Sequence, residues 1–413
     1  MVVKINKGVL LRLFTPIINL FVDIVNLFIH RDRSIILFGS WMGERFADNS
    51  RFLFQYLSKQ IENTGFSRVI WVTRNESLLS ELKNMGYEAY LMNSKESYYF
   101  HFKAGIHIVC NMEFDVHTYR GDIMGQLSGH AYKINLWHGI PIKGGSMANA
   151  EKKDESFKRR LLFELKSSRL FNDFFTPGHW NKAYYASTGK ECTKRLSLFH
   201  GIAISRFIEC GYPRNCPTIK YRDSEKRVLL SIKSHTKSVL YLPTFREKSS
   251  MNNLLDDSSF VQFLNEQDLF WVEKEHSASS EIMSNKGVIN YLKLNSDFDV
   301  NTIIDSVDLV ITDYSSVAYD AYAFGKAVIY FSPDYESYNK YERGFLCDYL
   351  DLSSNALAEN AIDLANIIRR YFCDTEYMLL LKDKSNREKR KLYDIPNNYQ
   401  KITELLLNSN LKG

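Results

Sequence analysis

The chain has 413 residues, 45% hydrophobic and 24% charged, which is material for two or three cored domains and too apolar for a disordered chain. A formal net charge of +5 does not mark a dedicated nucleic-acid binder, while it suits anionic substrates or a lipid surface. The six cysteines (Cys110, Cys192, Cys210, Cys216, Cys347 and Cys373) form no C-x-x-C pair and no metal-ligand spacing, so a reducing compartment without disulfides is the simpler reading.

Residues 8–30 are the most apolar stretch. Their length suggests a membrane span, but Arg12, Thr15, Asn19, Asp23, Asn26 and His30 recur every three or four positions and form one polar stripe on a helix. Spanning would bury Arg12 and Asp23 in hydrocarbon. The expectation is an amphipathic helix over 1–32 lying in the interface plane, its stripe toward water and its apolar face in lipid. Lys4, Lys7, Arg31 and Arg33 would sit near anionic headgroups. The alternative is docking on the protein's own core. Without a small-residue cleavage site, a removable signal peptide is not expected.

Beyond the helix, strand and helix patterns alternate. Strands are predicted at 34–38, 69–73, 88–91, 106–110, 133–137 and 174–176, and helices at 50–57, 76–85, 95–103, 151–168 and 180–187. The polar segment 217–237 reads as a linker. A second alternation follows, with strands at 238–242, 270–272, 288–289, 309–311 and 328–331. Its helices fall at 254–265, 317–324, 355–372 and 397–408. Strict alternation implies parallel sheets wrapped by helices. The expected fold is therefore α/β: two Rossmann-like domains, 33–222 and 223–413, with a cleft between them.

Candidate chemistry falls just after strand ends. His138 opens a loop with Gly139, Pro141, Lys143, Gly144 and Gly145. An imidazole titrates near neutrality and suits a general base, and glycines let a phosphate approach backbone N–H groups. Thr244 and Arg246 follow the 238–242 strand, Lys274 and His276 follow 270–272, and Arg214 ends Gly-Tyr-Pro-Arg near the domain join. Arginines there suit bidentate pairing with phosphate. Asp313, Ser315 and Ser316 stand between a buried strand and a helix carrying Asp320, where anions meet hydroxyls and unpaired N–H groups. Arg343 adds another cation. No clear Asp-x-Asp metal pair is read beside these motifs, so the expectation is that neither metal nor cofactor is required.

Six motifs keep their order along residues 34–350. They are Trp137–Lys143, Gly211–Asn215, Leu242–Arg246, Lys274–His276, Ile311–Ser316 with Asp320, and Arg343–Phe345. In this the chain resembles the CDP-glycerol glycerophosphotransferases, the teichoic-acid primases and polymerases with relatives in capsule synthesis. The resemblance implies a GT-B-like fold and transfer of glycerol phosphate, or a related alditol phosphate, from a CDP-alditol to a hydroxyl of a lipid-linked acceptor, with release of CMP. It makes His138 the base and His276 a stabiliser of the donor phosphates. It puts Ser315, Ser316 and Asp320 at the pyrophosphate, with Thr244, Arg246, Arg214 and Arg343 around the donor and Gly139 and Lys143 on the acceptor side. The amphipathic helix and the unpaired cysteines lead to the expectation of a peripheral enzyme at the cytoplasmic face of the cell membrane. Two other readings fit two nucleotide-binding halves: a GT-B glycosyltransferase using a nucleotide sugar, and a membrane-bound scaffold without activity.

Overall fold

The computed structural model describes residues 14–112, 120–144, 174–216, 219–244, 254–274, 287–341, 344–395 and 399–408. The helix expected at 151–168 and the candidates Arg246, His276 and Arg343 lie outside the described residues, as do Lys4, Lys7 and Arg12.

Two parallel sheets organise the molecule. The first contains β1 (Asp32–Phe38), β2 (Arg68–Thr73), β3 (Ala89–Leu91), β4 (Ala104–Val109), β5 (Tyr132–Asn135), β6 (Tyr184–Ser187) and β7 (Phe207–Glu209), in the order β3-β2-β1-β4-β5-β6-β7. The second contains β8 (Ser238–Leu242), β9 (Phe270–Glu273), β10 (Tyr291–Lys293), β11 (Leu309–Thr312), β12 (Ala327–Phe331) and β13 (Leu357–Ala358), in the order β10-β9-β8-β11-β12-β13. Central strands are apolar along their length because helices cover both faces. Ile36, Leu37 and Phe38 are buried, as are Leu309, Val310 and Ile311. In register, Leu37 pairs with Ile70 and His107, and Val310 with Leu240 and Val328. Both strand orders reverse beside the first strand of the sheet, between β1 and β4 and between β8 and β11. Crevices for ligands open there, at the carboxyl ends.

Some elements differ from the sequence expectation. Residues 180–187 are not a helix. A 3-10 segment, Pro177–Lys182, leads into β6, because Gly178 and His179 both take φ of +56° and break the helical path. Phe174 and Phe175 form a helical turn instead of a strand, and the strand expected at 288–289 falls at β10. The supposed linker contains a helix, Asp223–Lys233. Its Glu225 and Ile232 turn inward, and Glu225 meets Arg51 in a buried ion pair at 2.6 Å. The longest helix among the described residues, Thr375–Leu392, was not anticipated. After it the chain recrosses to the first domain. The Ile395 N–H donates to the Thr188 carbonyl, and the helix Tyr399–Asn408 stacks Tyr399 on Tyr56 with ring centroids 4.3 Å apart.

The first helix, Thr15–Phe28, is docked by its polar stripe. Thr15, Asn19 and Val22 are buried. The Asn19 amide donates to the Thr176 carbonyl at 3.2 Å and accepts from the Gly178 N–H at 3.0 Å. Asn26 donates to the Gly129 carbonyl, and Asp23 meets His130 at 3.0 Å. Thr15, Asn19 and Asn26 of the stripe therefore face protein, while Asp23 is part-exposed and His30 exposed. The opposite face carries Ile17, Leu20, Phe21, Ile24, Leu27 and Phe28 outward, Leu27 at 70% and Phe28 at 81% exposure. Arg31 is also turned inward, donating to the carbonyls of His101, Ala104 and Leu127, so its guanidinium is committed to the fold and not to headgroups. No helix among the described residues is long and apolar enough to cross a membrane.

Candidate active site

A cleft of about 430 Å³ opens between the sheets, lined by His138, Gly139, Lys143 and Arg214 from one side and by Lys274, Ser315, Ser316 and Asp320 from the other. The topology explains the meeting: His138 follows β5 of the first sheet, while Ser315 and Ser316 follow β11 at the switch point of the second.

β5 ends early. Trp137 takes φ of +56°, turning the chain so that the next residue enters the cleft. The half-buried His138 ring rests on Trp137 (centroids 4.2 Å apart) and near Trp41 (5.5 Å). Its Nδ1 has no hydrogen-bond partner among the described residues. Burial, with the Arg214 charge adding to it, pulls the imidazole pKa down to about 4, while the backbone of Cys110 acts the other way. At neutral pH the ring is therefore uncharged and able to accept a proton.

Gly139 follows with φ of +152°. A Cβ there would lie 2.7 Å from Ser316 Oγ and 3.1 Å from Ser316 Cβ. Only glycine lets the two loops come this close. Farther on, the loop forms a short antiparallel seam with the second domain: the Leu346 N–H donates to the Ile142 carbonyl at 2.8 Å, and the Gly144 N–H to Gly344 at 2.9 Å. Lys143 is bridged to Phe345 by its backbone, with its ammonium 5.8 Å from the centre of the Tyr338 ring.

Ser316 precedes the helix Val317–Ala323 but makes no side-chain cap, since its own φ and ψ are already helical. The Ser315 hydroxyl accepts a long bond from the Val317 N–H at 3.4 Å. Thr244 turns to Asp313, its N–H donating to both carboxylate oxygens at 3.0 Å, which ties the ends of β8 and β11 together.

Arg214 is fully enclosed. Nη1 donates to Asp48 Oδ1 and to the His138 carbonyl, both at 2.7 Å, and Nη2 to Asp320 Oδ1 at 2.5 Å. This guanidinium joins both domains and holds the backbone of His138. Burial raises the carboxyl pKa of Asp320 to about 6, with Arg214 pulling it back. Burial likewise raises Asp48. Tyr399 supports the motif from below, its one hydroxyl proton shared between the carbonyls of Pro213 at 2.8 Å and Cys216 at 3.0 Å.

Several cleft residues carried no predicted role: Trp41, Arg45, Asp48, Asp297 and Asp299. The signal for Trp41 and its neighbours was the glycine-bracketed loop Gly39–Gly43 at the end of β1, a switch-point strand. Lys274 lies under this group, donating to the Phe298 carbonyl. Burial, assisted by Arg45, lowers its pKa to about 8 against the pull of Asp299, Asp297 and Asp48. Among the described residues no three His, Cys, Asp or Glu side chains form a metal-ligand set.

The model of the CDP-glycerol:poly(glycerophosphate) glycerophosphotransferase family matches residues 22–408. The teichoic acid poly(glycerol phosphate) polymerase of Bacillus spizizenii is 26% identical over 345 residues, 77% of this chain and 79% of that protein. The polymerase of the same description from Staphylococcus epidermidis is 24% identical over 331 residues, 76% of this chain but 42% of its own length. Among solved structures, the wall teichoic acid polymerase TagF superposes with a TM-score of 0.70 at 19% identity, covering 98% of this chain and 96% of that one. That likeness shows the fold.

Proposed function

The chain belongs to the CDP-glycerol:poly(glycerophosphate) glycerophosphotransferase family, and from this membership we propose a division of labour for its cleft residues in moving glycerol phosphate from CDP-glycerol to an acceptor hydroxyl. The acceptor oxygen attacks the distal phosphorus of the donor. One P–O bond forms, the bond to the CMP oxygen breaks, and CMP leaves. His138 takes the hydroxyl proton, consistent with a ring kept neutral by burial. The Ser315 and Ser316 hydroxyls donate to the diphosphate, and Lys274 and Lys143 offset its charge. His276, Arg246 and Arg343 are assigned to the donor phosphates on the motif match. Arg214 and Asp320 act on the donor side through position, fixing the His138 carbonyl and the serine-bearing helix.

The single observation that carries this reading is the approach of Gly139 to Ser316, which sets the proposed base beside the proposed phosphate donors. The acceptor we propose is a membrane-linked teichoic-acid-like polyol phosphate, reached by an enzyme lying peripherally on the membrane. The outward apolar face of the first helix supports that placement.

The test is a donor panel. With a lipid-linked acceptor, the chain is expected to release CMP from CDP-glycerol, with CDP-ribitol as the related alternative donor. Release of UDP from UDP-sugars, with CDP-alditols inert, would overturn the assignment.

A further inference from the structure

A second cleft, of about 310 Å³, lies at the opposite end of the first sheet, lined by Asp23, His130, Tyr132, Lys133, His179, Lys182 and Tyr184. Lys133 stands at the amino end of β5, while His138 lies beyond its carboxyl end. Four residues lie between them, and the two clefts share no lining residue. This cleft is thus not part of the catalytic one.

Its chemistry is unusual for a surface hollow. Lys133 is buried, 7% exposed, and among the described residues its ammonium makes one hydrogen bond, to the Ala131 carbonyl at 2.8 Å. An ammonium has three donors, and a buried charge without an anionic partner is costly. Burial, with Arg31 and Lys182 adding repulsion and Asp23 opposing, lowers the Lys133 pKa to about 7. The exposed Lys182 lines the same hollow. The one carboxylate, Asp23, is turned to His130 at 3.0 Å. His130 and His179 both hold left-handed backbone, φ +60° and +56°.

Asp23 belongs to the first helix, whose outer face is apolar. The hollow therefore opens beside that helix. A helix lying in the interface plane rests at the boundary between acyl chains and headgroups, where phosphates are found. We propose that this cleft is a binding site for the phosphate of an anionic lipid headgroup, contacted by Lys133 and Lys182. The proposal rests on the peripheral membrane placement given above. It adds a headgroup preference that the apolar helix face cannot supply.

Vesicle co-sedimentation of the full chain tests it, with phosphatidylcholine alone or mixed with phosphatidylglycerol. The unmodified chain is expected to bind the anionic vesicles more tightly. Lys133→Met with Lys182→Gln should reduce that preference by roughly 30-fold, two basic side chains at an anionic surface. Binding to neutral vesicles should not change. Lys182→Gln alone alters only an exposed side chain and should lose part of the preference with the fold intact. Glycerol phosphate should compete better than chloride at equal ionic strength. Full anionic preference in the double variant, or equal competition by chloride, would overturn the site. If saturable glycerol phosphate binding is lost in the double variant while its vesicle binding is unaltered, the ligand is a soluble phosphate ester and the headgroup assignment fails. The underlying placement has its own control. Leu20→Ser with Phe21→Ser should abolish binding to both vesicle types, and unchanged binding there would remove the membrane reading itself.

Discussion

Gly139 and Ser316 touch across the cleft so closely that one methyl group on the first would stand 2.7 Å from the hydroxyl of the second. Gly139→Ala therefore meets two obstacles, the clash and a φ of +152° that L side chains rarely adopt. The expected result is a loss of stability of about 1–3 kcal/mol together with a fall in CMP release. Thermal unfolding and turnover measured on one preparation check both. A variant that matches the parent in both would show that the loops do not meet in solution.

His138→Ala is expected to lower kcat by about 100-fold or more, with circular dichroism unchanged. The acid limb of kcat/KM should fall near pH 4 rather than near 6.5, because burial holds the imidazole neutral down to about 4. The stability effect has a definite sign. The unfolded chain takes this proton near 6.5 and the folded one only near 4, so the unfolded state binds more protons between those values. Stability is lost as pH falls through that window, and His138→Gln should flatten this part of the profile. Urea melts from pH 4 to 7 measure it.

Arg214→Met leaves Asp48 and Asp320 without the guanidinium that both face. Removing one member of a buried charge cluster costs about 3–5 kcal/mol, and the freed His138 carbonyl should lower kcat as well. Denaturant unfolding should show this loss. A change below about 1 kcal/mol, the range of exposed ion pairs, would mean that solvent reaches the cluster.

Asn19→Ala removes two of the hydrogen bonds that dock the first helix, leaving the Gly178 N–H buried without its acceptor. A local loss of about 1–3 kcal/mol is expected. Amide exchange over residues 15–28 should quicken while the second sheet stays protected. Equal protection in parent and variant would place the docking energy elsewhere on the helix.

Much of this architecture was legible in the residues. Short β-branched runs alternating with amphipathic segments gave both sheets, since parallel strands buried on two faces leave that pattern in a chain. Ser315 and Ser316 were legible because hydroxyls between a buried strand and a helix mark a switch point. Arg214 shows what sequence does not carry. Its type suits phosphate, but its partners stand 166 and 106 positions away and become visible only when the sheets face each other. The first helix gives the same lesson on a smaller scale. Periodicity separates the polar face from the apolar one, yet it does not say which of them meets the protein. Asn19 found buried backbone acceptors and donors to satisfy it, and Leu27 found none of its kind. The missed strand β6 had a local cause: two left-handed residues, Gly178 and His179, stand just before the span 180–187 that reads as a helix, and the chain runs from a 3-10 segment into the strand.

The return of the chain from the second domain to the first fixes an order of events during synthesis. Tyr399, whose hydroxyl props the backbone beside Arg214, is separated from Pro213 by 186 positions. A nascent chain can complete β7 long before that prop exists. The loop that grips His138 therefore lacks this brace on the ribosome until the chain beyond the second sheet has been made.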